Sequence, residues 1–260
     1  RSYPAELPTT LREASLDECL RRSTHADVTN SARLLRARVR YQRGNFSGCF
    51  ADAGEVLARE PQRAAAVHLR GLCEAGLGQP ADAAETLSQL AASNPQYPQA
   101  DRVLYDLAWA HEQARESAKA LAAYARLIEQ YPSSPLAPEC QFRIGEADYA
   151  AGKFAQAADR FRTALQTATN PALRGKAAQR LAWCQFEQRD YRAAQATFEQ
   201  QVADDANGPF AADARAMAAE CRFQRQQFAD ALARFSESVD DRLTDGSLRA
   251  MALVHAGEAA

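Results

Sequence analysis

The chain has 260 residues, is 47% hydrophobic and 25% charged, and carries a formal net charge of −2. That balance excludes a disordered chain and lacks the basic footprint of a general nucleic-acid binder. It holds 58 alanines against 12 glycines and 11 prolines, which points to closely packed helices and away from a sandwich or barrel of many short strands. No apolar run approaches the length of a membrane-spanning helix, so direct membrane insertion is not expected. The six cysteines (Cys19, Cys49, Cys73, Cys140, Cys184, Cys221) lie 24 or more residues apart. They lack the spacing of a zinc site or a disulfide-dense mini-domain and read as small buried core residues. The chain begins at Arg1 without a basic and then apolar leader, so a signal peptide is either already removed or never existed, and the compartment stays open.

In chain order, residues 1–30 form an N-terminal segment. Within it, residues 9–24, entered through Pro8-Thr9-Thr10, predict a lone helix that covers the first hairpin. Six helical hairpins come next, at about 31–64, 65–98, 101–134, 138–171, 175–208 and 212–245. Residues 246–260 read as the first helix of a truncated seventh, since Met251–Ala259 echoes Gly145-Glu-Ala147.

The hairpins follow from periodicity. Tyr124, Phe161, Phe198 and Phe235 are each 37 residues apart, as are Ala120, Ala157, Ala194 and Ala231. Tyr149, Phe186 and Phe223 keep the step, and so do Phe154, Tyr191 and Phe228. Inside each unit the apolar residues recur at three and four in two bursts, the signature of two helices. A break at 151–154, 189–191 and 226–228 separates them. Ser134-Pro135, Asn170-Pro171 and Gly208-Pro209 supply helix-start chemistry at unit boundaries.

These positions resemble the tetratricopeptide repeat. Gly145, Gly152, Phe154, Ala157, Phe161, Ala164 and Leu165 follow its pattern in one unit, and Gly71, Gly78, Ala83, Leu87, Leu90 and Pro95 in another. The likeness covers about residues 31–260. Its step of 37 exceeds the family's usual 34 or so, and the aromatic expected at position 11 stands at position 12 in Tyr149, Phe186 and Phe223. The linker Tyr131–Glu139, with Arg143–Ala147 after it, is similar to the longer repeats of bacterial cell-envelope proteins such as the Tol-Pal-associated coordinator and outer-membrane assembly lipoproteins. The resemblance implies an all-α, right-handed superhelical solenoid of about six repeats, preceded by a capping helix and followed by half a seventh. It slightly favours the periplasm or cell envelope over the cytoplasm.

In the family, one stripe of each first helix lines the concave side of the superhelix, where peptides lie. Here it carries Tyr105, Trp109, Phe142, Glu146, Tyr149, Lys176, Arg180, Trp183, Phe186, Glu220 and Phe223. Aromatics beside charges are the composition of an anchor pocket, so a protein or peptide partner with apolar anchors and some basic character is expected. The position-12 aromatics Tyr149, Phe186 and Phe223 have a second reading as core wedges between first helices. Lys176 and Arg180 match part of the carboxylate clamp of chaperone-tail binders, but its asparagines are missing.

Charge is uneven along the chain. Residues 11–43 hold eight basic and four acidic side chains, with Arg33, Arg36, Arg40 and Arg43 on one stripe, and residues 199–245 hold five basic and ten acidic. Each end reads as a solvated face or, more sharply, as a surface for electrostatic docking, including head-to-tail self-association. No phosphate loop, metalloprotease helix, nucleophile elbow or calcium loop is present, and His25, His68, His111 and His255 are isolated. The chain therefore reads as a non-enzymatic scaffold or adaptor without cofactor or metal. The other readings are a structural subunit of a larger assembly and a peptide-sensing regulator.

Overall fold

The computed structural model describes residues 9–60 and 63–239, together with 254 and 257. The half-repeat expected at 246–260 lies outside the described residues. Among the described residues the chain is all-helical, with thirteen α-helices and no strand. It divides into two compact units, Arg1–Tyr131 and Pro132–Ala260.

The first unit contains α1 (Thr9–Arg22), α2 (Ala26–Gln42), α3 (Phe46–Leu57), α4 (Ala64–Gly76), α5 (Pro80–Ser93), α6 (Ala100–Gln113) and α7 (Ser117–Gln130). The second contains α8 (Ala137–Ala150), α9 (Phe154–Thr167), α10 (Pro171–Glu187), α11 (Tyr191–Asp204), α12 (Ala211–Gln224) and α13 (Phe228–Val239). Within each unit every helix packs on the one before it. The first helices of neighbouring hairpins also touch, α2 on α4 and α4 on α6 in the first unit and α8 on α10 in the second.

One turn geometry makes all six hairpins. Gly44, Gly78, Arg115, Gly152, Arg189 and Gln226 stand in the left-handed region, with φ between +60° and +78°. Each closes its helix with the same pair of bonds. At the fourth hairpin Gly152 N–H donates to the Tyr149 carbonyl at 2.9 Å, and Lys153 N–H donates to Asp148 at 2.9 Å, the Schellman arrangement that satisfies the last carbonyls of a helix. Glycine fits the left-handed position without strain, and the three non-glycines hold it at a cost of about 1 kcal/mol.

Aromatics five residues apart then close over the turn. Tyr41–Phe46, Tyr149–Phe154, Phe186–Tyr191 and Phe223–Phe228 pack with ring centroids 5.6, 5.3, 5.2 and 5.4 Å apart. Between the helices of the last four hairpins, Tyr124, Phe161, Phe198 and Phe235 are fully buried against small residues. A Cβ on Gly145 would stand 2.9 Å from the Phe161 ring, so the glycine is what lets α8 and α9 approach.

The cysteines differ from expectation at one pair. Cys49 of α3 and Cys73 of α4 form a disulfide that joins the first hairpin to the second. A separation of 24 residues carries no sequence signature of a bridge, but antiparallel packing of α3 on α4 returns the chain to the same level. Cys140, Cys184 and Cys221 are free and buried, and Cys19 is half-buried. Burial pushes the thiols of Cys140, Cys184 and Cys221 up to about 12, so they are inert at neutral pH.

The basic stripe on α2 is engaged within the fold. Asp52 of α3, itself buried, receives Arg36 Nε at 2.9 Å and Arg40 Nη1 at 2.9 Å. Arg36 Nη1 also donates to Asp17 of α1 at 2.7 Å, Arg40 Nε to Glu13 at 2.9 Å, and Arg43 to Glu13 as well. Arg33 lies 3.8 Å from Glu55. The stripe thus clamps α1 on one side and α3 on the other, and these guanidiniums offer an acidic partner no unpaired row of charge.

The hydrogen bond from Arg40, aided by Arg43, holds the Glu13 carboxyl below its ordinary value of 4.5. A depressed carboxylate adds stability in full above its unfolded value and loses it as pH falls through the folded value. Because the site is partly solvated, the loss amounts to no more than ~1 kcal/mol. Hydrogen exchange of α1, corrected for intrinsic rates, is expected to speed up several-fold in acid relative to α6. Glu13→Gln is expected to bring the fast exchange to neutral pH and flatten the dependence; an unchanged α1 profile would contradict the clamp.

Candidate functional site

In the first unit, the first helices α4 and α6 are joined by a buried polar cluster. Asp106 of α6 accepts from Arg102 Nε at 3.0 Å and lies 2.8 Å from Nε2 of His68 on α4. Tyr97 packs edge-on against the His68 ring at 5.9 Å. The buried Asp106 carboxylate is thus bonded from both helices, as a buried charge must be.

Arg102 connects this cluster to the surface. Its guanidinium lies 5.6 Å over the Tyr105 ring, and Tyr105 meets Tyr124 edge-on at 5.8 Å. One turn along α6, Trp109 is 39% exposed, high for the largest apolar side chain in a helix of this amphipathic kind. Arg102, Tyr105 and Trp109 form a patch with a fixed base and an open indole.

In the second unit, Arg180 of α10 reaches Glu146 of α8, Nε to Oε1 at 2.8 Å and Nη2 to Oε2 at 3.1 Å. The same guanidinium lies 5.5 Å over the Tyr149 ring. Burial, ahead of nearby carboxylates, raises the Tyr149 hydroxyl above its ordinary value, so it stays a neutral donor. Trp183, half-buried, meets Phe186 at 5.9 Å and Phe198 at 6.2 Å, both edge-on. Lys176 lies one turn before Arg180 and is exposed.

The expected stripe therefore divides. Trp109, Tyr105, Glu146, Arg180, Lys176 and part of Trp183 reach solvent. Phe142 and Glu220 do not: Phe142 is 9% exposed and packs on Phe161 at 5.4 Å, and Glu220 is 1% exposed. Both are corrected from groove to core. Position 5 of α8 turns toward α9, and the buried Glu220 Oε1 accepts from Gln224 one turn further along α12. Tyr149, Phe186 and Phe223 are the half-buried halves of the aromatic closures over their own turns. They wedge against the second helix of the same hairpin and pack against the buried apolar clusters, and Tyr149 also lies under Arg180 of the neighbouring first helix.

The His68–Asp106 pair escaped sequence reading because each residue looks isolated. The repeat step held the signal: His68 and Tyr105 are 37 apart, so Asp106 follows the residue equivalent to His68 on the neighbouring first helix. Among the described residues no group of His, Cys, Asp and Glu side chains is arranged to hold a metal ion, and none of their helices is long and apolar enough to cross a membrane.

A family model described as tetratricopeptide repeat matches residues 34–98 and 74–135, and a second of the same description matches residues 148–212. Solved structures share the fold. A tetratricopeptide repeat protein from Parabacteroides merdae aligns with TM-score 0.56 at 12% identity, over 95% of this chain and 92% of its own. The C-terminal part of a TPR repeat-containing protein from Cytophaga hutchinsonii gives 0.65 at 13%, over 86% and 85%. The pilF protein of Pseudomonas aeruginosa gives 0.60 at 18%, over 92% and 98%. At such identities the likeness concerns the fold. No curated protein matches the chain in sequence.

Proposed function

The chain belongs to the tetratricopeptide repeat family, and from that premise we propose that it is an interaction scaffold, holding a peptide segment of a protein partner against exposed side chains of its first helices. The observation that carries the reading is Trp109, an open indole beside Tyr105 whose base is fixed by Arg102 and Asp106. In the second unit Trp183 with the Arg180–Glu146 pair offers a patch of similar composition. Rigid aromatics next to oriented charge are the usual anchors of peptide recognition. Apolar anchors would seat on the indoles, and basic residues would compete for carboxylates such as Glu146.

Selection from a random phage-displayed peptide library, followed by titration of the enriched peptides, tests this. The peptides are expected to carry an aromatic or aliphatic anchor and basic residues. Trp109→Ala, with an unchanged helical spectrum, is expected to weaken those that use the first unit at least tenfold, about 1.4 kcal/mol. Trp183→Phe, which keeps the packing on Phe198, is expected to do the same for the second unit. Peptides that bind both variants like the parent would defeat the proposal.

The disulfide favours a cell-envelope setting within this reading, because buried structural disulfides persist in oxidising compartments. Alkylation of unreduced, denatured protein isolated from its native host is expected to label the four free cysteines; labelling of all six would place the chain in a reducing compartment.

A further inference from the structure

The second unit contains a cavity that the first-helix patches do not use. Counting 37 from α8 (Ala137–Ala150) puts the equivalent helix at 174–187, and counting 37 again gives Ala211–Gln224, the observed α12. Yet α10 begins at Pro171, one turn early, on an Asn170 cap that accepts from Ala172 N–H at 2.9 Å. Facing that extra turn is the loop from Asp205 to Phe210, held back by Arg215 donating to the Ala206 carbonyl at 2.6 Å. Between them lies a cavity of about 610 Å³, walled by Leu165, Pro171, Gly175 and Phe210, with Gln201 and Asp204 in its lining.

Gln201 is the buried polar side chain of its lining. The side chain is 7% exposed, and its Nε2 donates to the Gly175 carbonyl at 3.0 Å. Its Oε1 is buried without a hydrogen-bond partner. A buried acceptor left unmade costs stability, which a donor brought within its reach would recover. Asp204, Asp205 and Arg174, all exposed, also line the cavity, two carboxylates to one guanidinium.

We propose that this cavity receives an arginine side chain from a partner's peptide, its aliphatic stem along Leu165, Pro171 and Phe210, one guanidinium N–H donating to Gln201 Oε1 and the positive charge facing Asp204 and Asp205. Arginine fits better than lysine because its fork can donate to a neutral amide and to a carboxylate together, and it gives up its hydration more readily. The site is separate from the patches around Trp109 and Trp183, so its test does not depend on them.

The test is a titration of the whole chain with Nα-acetyl-L-argininamide, read on the backbone amides of Gly175 and Phe210 and the Gln201 side-chain amide in nitrogen–proton correlation spectra. Saturable shifts confined to this region are expected. The lysine and norleucine analogues are expected to bind at least fivefold and tenfold more weakly. Gln201→Leu, which keeps the volume and removes the acceptor, is expected to abolish the shifts. Gly175→Ala, whose new methyl would stand 3.6 Å from the Phe210 ring, narrows the cavity and is expected to weaken binding at least tenfold. Asp204→Asn is expected to lower affinity and its salt dependence, and with Gly175→Ala it decides the matter if Gln201→Leu fails to fold. Absent shifts, equal shifts with the norleucine analogue, or full binding by Gly175→Ala and Asp204→Asn would overturn the proposal and leave the Gln201 oxygen to an internal water.

Discussion

Replacing Cys49 and Cys73 together by alanine is expected to cost the first unit about 3 kcal/mol and the second unit almost nothing. Cross-linking residues 24 apart removes loop-closure entropy from the unfolded chain worth about 3 kcal/mol on the chain-entropy account. Both half-cystines are fully buried against Ala37, Ala53 and Leu69, so the alanines also leave a small void. The effect is local because each hairpin packs mainly on its neighbours. Each unit carries one tryptophan, Trp109 or Trp183. Urea unfolding read in Trp183→Phe and Trp109→Phe backgrounds therefore reports the units separately. Reductant should reproduce the shift in the parent and do nothing to the double variant. A parent transition unmoved by reductant at Trp109 would show that the bond does not stabilise the fold.

The second large effect concerns the contact between Phe161 and Gly145. Phe161→Ala empties a fully buried site and is expected to cost about 4 kcal/mol. Gly145→Ala has two opposed terms: roughly 1 kcal/mol gained in helix propensity, and about 1–3 kcal/mol lost as the methyl meets the ring at 2.9 Å. Phe161 belongs to a packed core with Phe142, Ala164 and Leu181, so the ring has little room to yield and the net effect is destabilising. In the Phe161→Ala background the clash is gone, and Gly145→Ala is expected to stabilise by up to ~1 kcal/mol. A reversal of sign across the double-mutant cycle is the signature. Additive effects would mean that the glycine is there for another reason.

The repeat step, the two helices per unit and the buried ring of the later hairpins could be read from residues alone, since Phe161, Phe198 and Phe235 recur with the period of the structure itself. The left-handed turns were legible where glycine stands, as at Gly152, and hidden at Arg115, Arg189 and Gln226, where the closing hydrogen bonds impose the conformation on residues that do not prefer it. The candidate site was legible only as a stripe. Helical phase placed Trp109, Phe142, Trp183 and Glu220 on similar faces, but exposure depends on what the next helix covers, and that separated open Trp109 from buried Phe142 and Glu220.

Sequence by itself determined what is periodic: fold class, helix pairing and the family to which the chain belongs, because a local pattern repeated every 37 residues constrains each unit in the same way. Only the tertiary structure decided what crosses from one element to another. It joined Cys49 to Cys73, engaged Arg36 and Arg40 on Asp52, closed His68 on Asp106, and left Gln201 facing a cavity made by one extra turn of α10. Each of these partners lies 12 or more residues from the other in sequence. Such pairings are set by how antiparallel helices bring distant levels of the chain together, which no local propensity encodes.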